Sequence, residues 1–136
     1  MNDLKSIQKV TYDPKAPDEV TKDLKVFYTD SGYARIEIKA KLAETYRKPE
    51  LVTKLKDGLQ VNFYASDGKV VSTLKALYGE INFTKGLLFV RDSVRLMNHE
   101  KNQQMETEVL FWNQKDSTIY TNAPVVVRSP KGVLFG

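Results

Sequence analysis

Residues 33–42 read Tyr-Ala-Arg-Ile-Glu-Ile-Lys-Ala-Lys-Leu. Ala34, Ile36, Ile38, Ala40 and Leu42 alternate there with Arg35, Glu37, Lys39 and Lys41. Successive side chains of an extended chain point to opposite faces, so this run predicts a strand with one buried and one solvated face. Leu59, Val61 and Phe63 alternate with Gln60 and Asn62 in the same way, and Val90, Val94 and Leu96 form the inner set of a less regular strand. Working outward, β-branched and aromatic stretches predict strands over 33–40, 59–64, 69–78, 87–97, 105–112, 118–120, 125–128 and 133–135.

Turn chemistry separates these stretches. The signals are Asp30-Ser31-Gly32, Lys56-Asp57-Gly58, Ser66-Asp67-Gly68, Thr84-Lys85-Gly86, residues 98–102, residues 114–117 and Pro130-Lys131-Gly132. Asp and Asn bond back to local backbone and Gly accepts positive φ, so each cluster reverses the chain at little cost. The spacing is that of a sandwich, jelly roll or barrel. Residues 49–55 are the one place where a short helical turn is expected, without a good cap. Residues 1–22, with Asp13-Pro14 and Ala16-Pro17, read as an N-terminal arm carrying a short strand over 7–12; the main domain runs over 23–136.

A repeat is also visible. Placing Gly68 on Gly32 without gaps puts Val70 on Ala34, Ser72 on Ile36, Leu74 on Ile38, Ala76 on Ala40 and Tyr78 on Leu42. Residues 105–112 form a weaker third copy, in the period range of repeat architectures.

The 136 residues fit one domain, and 41% hydrophobic with 28% charged residues is an ordinary globular balance. No run approaches the ~18–20 apolar residues of a membrane span, and no signal-peptide pattern opens the chain. There are no cysteines, which excludes disulfides, thiolate metal sites and cysteine nucleophiles. The net charge of +4 is spread among interspersed signs, the pattern of a solvated face and not of a nucleic-acid footprint. His99, the single histidine, falls in a polar turn and reads as a solvated group without co-ligands. No glycine-rich loop opens a helix, and Asn82-Phe83-Thr84 is a chance-frequency glycosylation match. Trp112 and the aromatics near Arg91, Arg95 and Lys115 read as cross-strand packing. No catalytic constellation or metal site is predicted, no cofactor is called for, and the chain is read as a binding module and not an enzyme.

Two features suggest what such a module binds. The inner set mixes Ala34, Ala40, Ser72 and Ala76 with large aliphatics, which leaves room along one line of the interior. The apolar strand at Val125-Val126-Val127, near the terminus, is a candidate open edge that another chain can extend by backbone hydrogen bonding. The expected interior groove comprises Ile36, Ile38, Leu42, Val61, Phe63, Leu74, Val90, Val94, Leu96 and Val109.

The chain resembles the LptC family of lipopolysaccharide-export components, in its Bacteroidetes-type form, over residues 23–136. The carriers are Phe27-Tyr28-Thr29-Asp30-Ser31-Gly32, Ala43-Glu44-Thr45-Tyr46, residues 58–64 with Asp67-Gly68-Lys69, and Thr107-Glu108 with Leu110 and Trp112. They continue in Ile119-Tyr120-Thr121 and residues 129–136. The resemblance implies an all-β, twisted, partly open β-jellyroll whose groove takes the acyl chains of lipid A. It implies a periplasmic protein that accepts lipopolysaccharide from the inner-membrane Lpt ABC transporter and passes it to LptA. The partner-binding edge on the LptA side is then Val125, Val127, Val133 and Phe135. It also implies an inner-membrane anchor preceding Asn2, which this chain lacks and which is the only expected membrane association. A soluble LptA-like bridge, and a β-sheet adaptor that binds no lipid, are the alternatives; a glycan hydrolase and a nucleic-acid binder fit less well.

Overall fold

Each short turn returns the chain beside the strand it has just left, so the strands pair antiparallel in near-sequence order. The structure is a computed structural model and describes residues 16–30, 33–116 and 118–136. Among these it contains β1 (Glu19–Asp30), β2 (Tyr33–Tyr46), β3 (Val52–Tyr64), β4 (Val70–Ala76) and β5 (Tyr78–Asn82). The remainder are β6 (Leu87–Asn98), β7 (Gln103–Asn113), β8 (Thr118–Tyr120), β9 (Val126–Ser129) and β10 (Gly132–Phe135). All join one sheet in the order β1-β2-β3-β4-β6-β7-β9-β10, with β5 between β3 and β6 and β8 beside β7. The fold is the all-β, jellyroll-class arrangement of antiparallel strand–turn units expected from the sequence. No helix occurs among the described residues.

The predicted arm and its strand over 7–12 fall mostly outside the described residues. β1 begins at Glu19 and therefore takes in residues 19–22 of that arm. Two local expectations are corrected. Lys56-Asp57-Gly58 is not a turn but lies inside the 13-residue strand β3, and residues 52–55 are strand and not helix. Asp57 at φ 63° and Gly58 at φ 99° form an irregularity that bends the strand without reversing it.

The same irregularity occurs at one level in every long strand. Asp23 in β1 has φ 53°, and Asp92 and Ser93 in β6 have φ 69° and 55°. β2 shifts register between Ala40 and Leu42, and the β6–β7 pairing shifts between Arg91 and Val94. At this level β4 ends and β5 begins, with Leu77 between them. Backbone bonds knit the line: Gly58 N–H donates to the Leu77 carbonyl at 3.1 Å, and Leu77 N–H donates to Asp92 at 3.0 Å. Asp is among the few non-glycine residues that tolerate left-handed backbone, which explains its place at three of these positions. In the two stronger copies of the sequence repeat, Lys41 and Leu77 stand at the same offset from Gly32 and Gly68, so the crease falls at equivalent points.

The crease divides the sheet into two halves whose apolar faces turn toward each other. The first half holds residues 24–30, 33–40 and 59–64, β4, residues 94–98 and 103–107, β9 and β10. The second holds residues 19–22, 42–46, 52–56, β5, residues 87–91 and 109–113, and β8. Ile38, Ala40, Leu59, Val61, Leu74, Ala76 and Val94 from the first half meet Ala43, Leu55, Ile81, Leu88, Val90 and Leu110 from the second. Leu55, Val61, Val90 and Val94 are fully buried, worth about 1.5–3 kcal/mol each relative to exposure.

Gly79 of β5 is required by this packing. A Cβ there would stand 2.8 Å from Leu59 Cδ2, 3.2 Å from the Phe89 carbonyl oxygen and 3.2 Å from Val90 Cγ1. Gly79→Ala should therefore lower stability by about 1–3 kcal/mol through overpacking, measured by urea unfolding. Unchanged stability would contradict the close packing of β3, β5 and β6.

Candidate functional site

The two half-sheets form a V whose vertex is the crease. Its tips are the strand ends farthest from that line, and Phe63 of β3 and Trp112 of β7 stand at opposite tips. They belong to strands that are not neighbours, yet their rings meet edge to face with centroids 5.9 Å apart. That contact closes the mouth of the V. Behind it Leu74, Leu88, Val90, Leu96 and Leu110 line an apolar cavity of about 20 Å³, with Ile119 at its margin. This holds one water-sized group and no more. The small residues Ala40 and Ala76 are themselves buried and do not widen this cavity; they border instead an open depression of about 760 Å³ along the crease, shared with Leu24, Gly58, Leu59 and Leu77.

The predicted groove residues separate into two sets. Ile38, Val61, Leu74, Val90 and Val94 lie in the core, and Ile36, Phe63 and Leu96 pack against it. Leu42 and Val109 do not join them. Leu42 pairs with Lys56 and Val109 with Arg91, on the face opposite the buried Ala43–Leu55 and Val90–Leu110 pairs. Each sits just past an irregularity, where one extra residue reverses the alternation. Sequence alternation missed Leu55, Ile81, Leu88 and Leu110. Leu55 was lost in the expected helical turn, Ile81 falls between the strands expected over 69–78 and 87–97, and Leu88 and Leu110 have hydrophobic neighbours that blur the period.

At the other edge, β10 closes the sheet order, and Val133 and Phe135 are exposed there together with Leu134, the last two strongly. Val125 and Val127 stand one strand inside and are half-buried; Val127 pairs with Met105 and Leu134. Val125 and Gly136 exchange both backbone hydrogen bonds at 2.7 Å, which holds the terminal strand in place. β1 is the sheet's other edge.

The outer face of the first half holds an unexpected polar chain. Glu37 is an outward residue of β2 yet is only 4% exposed. Its carboxylate accepts a hydrogen bond from Asn62 Nδ2 at 2.9 Å and from the Tyr64 hydroxyl at 3.3 Å. Lys25 and Lys39 each approach it to 3.6 Å. Thr73 Oγ1 donates to Asn62 Oδ1 at 3.0 Å, and Gln60 Nε2 donates to the same oxygen at 3.1 Å. Thr73 Oγ1 also lies 2.8 Å from His99 Nε2, so His99, exposed in its turn as expected, also ends a chain crossing β2, β3, β4 and the β6–β7 turn. Burial raises the Glu37 pKa, but the Asn62 hydrogen bond, the Lys39 and Lys25 charges and the Tyr64 hydroxyl outweigh it, leaving the carboxyl below its ordinary range.

On the outer face of the second half, Tyr120, Phe111 and Phe89 stack in succession with centroids 5.3 and 5.9 Å apart. Tyr78 leans on Phe89 and carries the Arg91 guanidinium 4.1 Å above its ring. Here burial, then the hydrogen bond to Glu80, pushes the Tyr78 hydroxyl far up. These are cross-strand pairs that stabilise the outer face, as the sequence suggested. Among the described residues no group of acidic and imidazole side chains is arranged to hold a metal ion.

A sequence profile described as "Lipopolysaccharide-assembly, LptC-related" matches residues 2–136. No curated protein sequence matches the chain. Among solved structures, the chain is similar to the crystal structure of LptH from Pseudomonas aeruginosa, the LptA homologous periplasmic component of the conserved lipopolysaccharide transport device. The identity is 12% and the TM-score 0.49, over 80% of this chain and 84% of that one.

The lowered pKa of Glu37 sets an acid dependence. A depressed carboxylate contributes stability fully above its unfolded pKa of ~4.3 and loses it as pH falls through the folded value. Glu37→Gln should cost about 1–3 kcal/mol at pH 7, and the difference from the parent should shrink below pH ~4 in denaturant titrations. A difference that does not change with pH would show that the charge of Glu37 contributes nothing.

Proposed function

Because the chain belongs to the LptC-related lipopolysaccharide-assembly family, a family of periplasmic transport proteins, we propose that its V-shaped interior carries the acyl chains of lipopolysaccharide. In this reading the molecule accepts lipopolysaccharide from the inner-membrane ABC transporter and passes it to LptA. The supporting observation is the apolar interior that runs from the crease to a mouth where Phe63 meets Trp112. The chain acts as a conduit, and the energy comes from ATP hydrolysis in the transporter. An N-terminal anchor would hold it at the inner membrane.

Magnitudes favour an opening V over a permanent cleft. An aromatic edge-to-face contact is worth about 0.5–1.5 kcal/mol beyond its burial. Burying acyl chain gains about 0.8 kcal/mol per methylene, so two methylenes offset the edge-to-face preference and a few more offset the ring burial lost on opening. Entry then parts the tips, with Phe63 and Trp112 as the first side chains met and Leu96, Leu74, Val61 and Val90 beyond them. The exposed edge strand β10, with Val133 and Phe135, fits addition of a strand from LptA, with Val125 and Val127 supporting it from behind. The β1 edge faces the transporter side in the same scheme.

One observation favours a second reading. An interior of about 20 Å³ is what an adaptor with a closed core would have, its edges joining proteins without lipid uptake. The chain lacks cysteine, so Phe63→Cys with Trp112→Cys offers a clean pair for a short, cleavable thiol crosslinker. Crosslinking should abolish uptake of lipopolysaccharide, read by photocrosslinking from Val61 or Val94, and cleavage should restore it. Labelling of equal strength from Val61 and outward Lys39 would sink the groove reading. No uptake by the open double mutant, with binding to LptA intact, would establish the adaptor.

A further inference from the structure

The polar chain on the outer face of the first half is not needed to build a sheet. An outward strand position is normally solvated, yet Glu37, Asn62 and Thr73 are 4%, 7% and 6% exposed. Burying a carboxylate, an amide and a hydroxyl is costly unless every partner is supplied, so such a network holds its members in one arrangement. Its consequence is the orientation of His99. Thr73 spends its proton on Asn62, so its oxygen accepts from His99 Nε2–H, which leaves Nδ1 as the free acceptor of the neutral ring.

His99 stands in a depression of about 440 Å³ between the β6–β7 turn and the β9–β10 hairpin. Asn102, Gln103, Gln104 and Arg128 share its wall. The amides of Asn102 and Gln103 make no side-chain hydrogen bond among the described residues. Arg128 Nε is held 3.1 Å from Glu106, and Gln104 donates to the same carboxylate at 2.9 Å. The cation is thus compensated, and the wall offers neutral donors and acceptors, the chemistry that suits hydroxyl groups more than anions. The depression also lies near the mouth. Asn98 on its wall pairs with Ser72, which pairs with Phe63, two strand spacings of ~4.8 Å away.

We propose that this depression binds the saccharide part of the amphiphile, with the Nδ1 of His99 and the amides of Asn102 and Gln103 taking sugar hydroxyls. The assignment of the ligand rests on the acyl-chain reading above; the site itself rests on the orienting network and the wall. His99 contacts the sugar, and Thr73 is a positioning residue. With its chains between the half-sheets, the amphiphile lays its sugar around the first-half tip onto the outer face.

The test uses the water-soluble oligosaccharide obtained by stripping all acyl chains from lipopolysaccharide, in phosphorylated and dephosphorylated forms, titrated into the whole chain and followed by amide NMR. Both forms should shift signals of His99, residues 102–104 and Arg128. His99→Ala should weaken binding about tenfold or more, the worth of one or two hydrogen bonds. Thr73→Val should do the same while altering the ring ¹⁵N shifts of His99, and Thr73→Ser should restore both. No shift at these residues, or binding confined to the phosphorylated form and lost with salt, would overturn the proposal. Labelling of Val61 by intact lipopolysaccharide reports on the acyl-chain reading separately: if it persists without oligosaccharide binding only the sugar site fails, and if it is absent the conduit fails.

Discussion

Irregularities in neighbouring strands of one sheet are compatible only if they fall on a single line. A lone bulge shifts the alternation of its own strand and carries apolar side chains to the wrong face of everything beyond it. Here Asp23, Lys41, Asp57-Gly58, Leu77 and Asp92-Ser93 stand at one level, so pairing resumes beyond the line with every strand shifted together. The hydrogen bonds from Gly58 to Leu77 and from Leu77 to Asp92 carry the ladder across the bend. The core, the mouth and the division into two half-sheets all follow from that alignment. Thr21, Ala43, Leu55, Gly79, Val90 and Leu110 line up on one side, and Leu24, Ala40, Leu59 and Ala76 on the other.

The arrangement is stiff at one end and weak at the other. At the vertex backbone bonds link Gly58 to Leu77 and Leu77 to Asp92, and Gly79 lets β3, β5 and β6 approach closely. At the tips, the Phe63–Trp112 contact joins strands that share no hydrogen bonds. A molecule built this way changes shape most cheaply by parting its tips. A carrier also benefits from a modest opening cost, since a site that held its chains much more tightly than the next would stop the transfer.

The strands and one buried face were legible because alternation at 34–42 and 59–63 is nearly perfect. The crease has a signature in the sequence that its own turn chemistry disguises. Lys22-Asp23, Lys56-Asp57 and Arg91-Asp92 are basic–aspartate pairs 34 and 35 residues apart, each inside a strand. Asp-Gly is also a turn signal, so residues 56–58 read as a reversal, and Leu42 and Val109 were carried onto the wrong face by extending alternation across the bend. The mouth and the chain from Glu37 to His99 join residues 11 to 49 positions apart, contacts that only the folded sheet creates. Within the turn, His99 has nothing beside it to indicate a partner at Thr73.

The measurement closest to the central claim is the distance between the two tips with and without lipid. Ser66 lies in the turn after Phe63, and Lys115 in the turn after Trp112; both are exposed. Spin labels on Ser66→Cys and Lys115→Cys, read by pulsed electron resonance, report the separation of the tips. A control pair across β2 and β4, Lys39→Cys and Lys75→Cys, spans strands on one side of the crease. The account predicts that adding lipopolysaccharide lengthens the first distance and leaves the second unchanged. Lipid bound with both distances unaltered would contradict it.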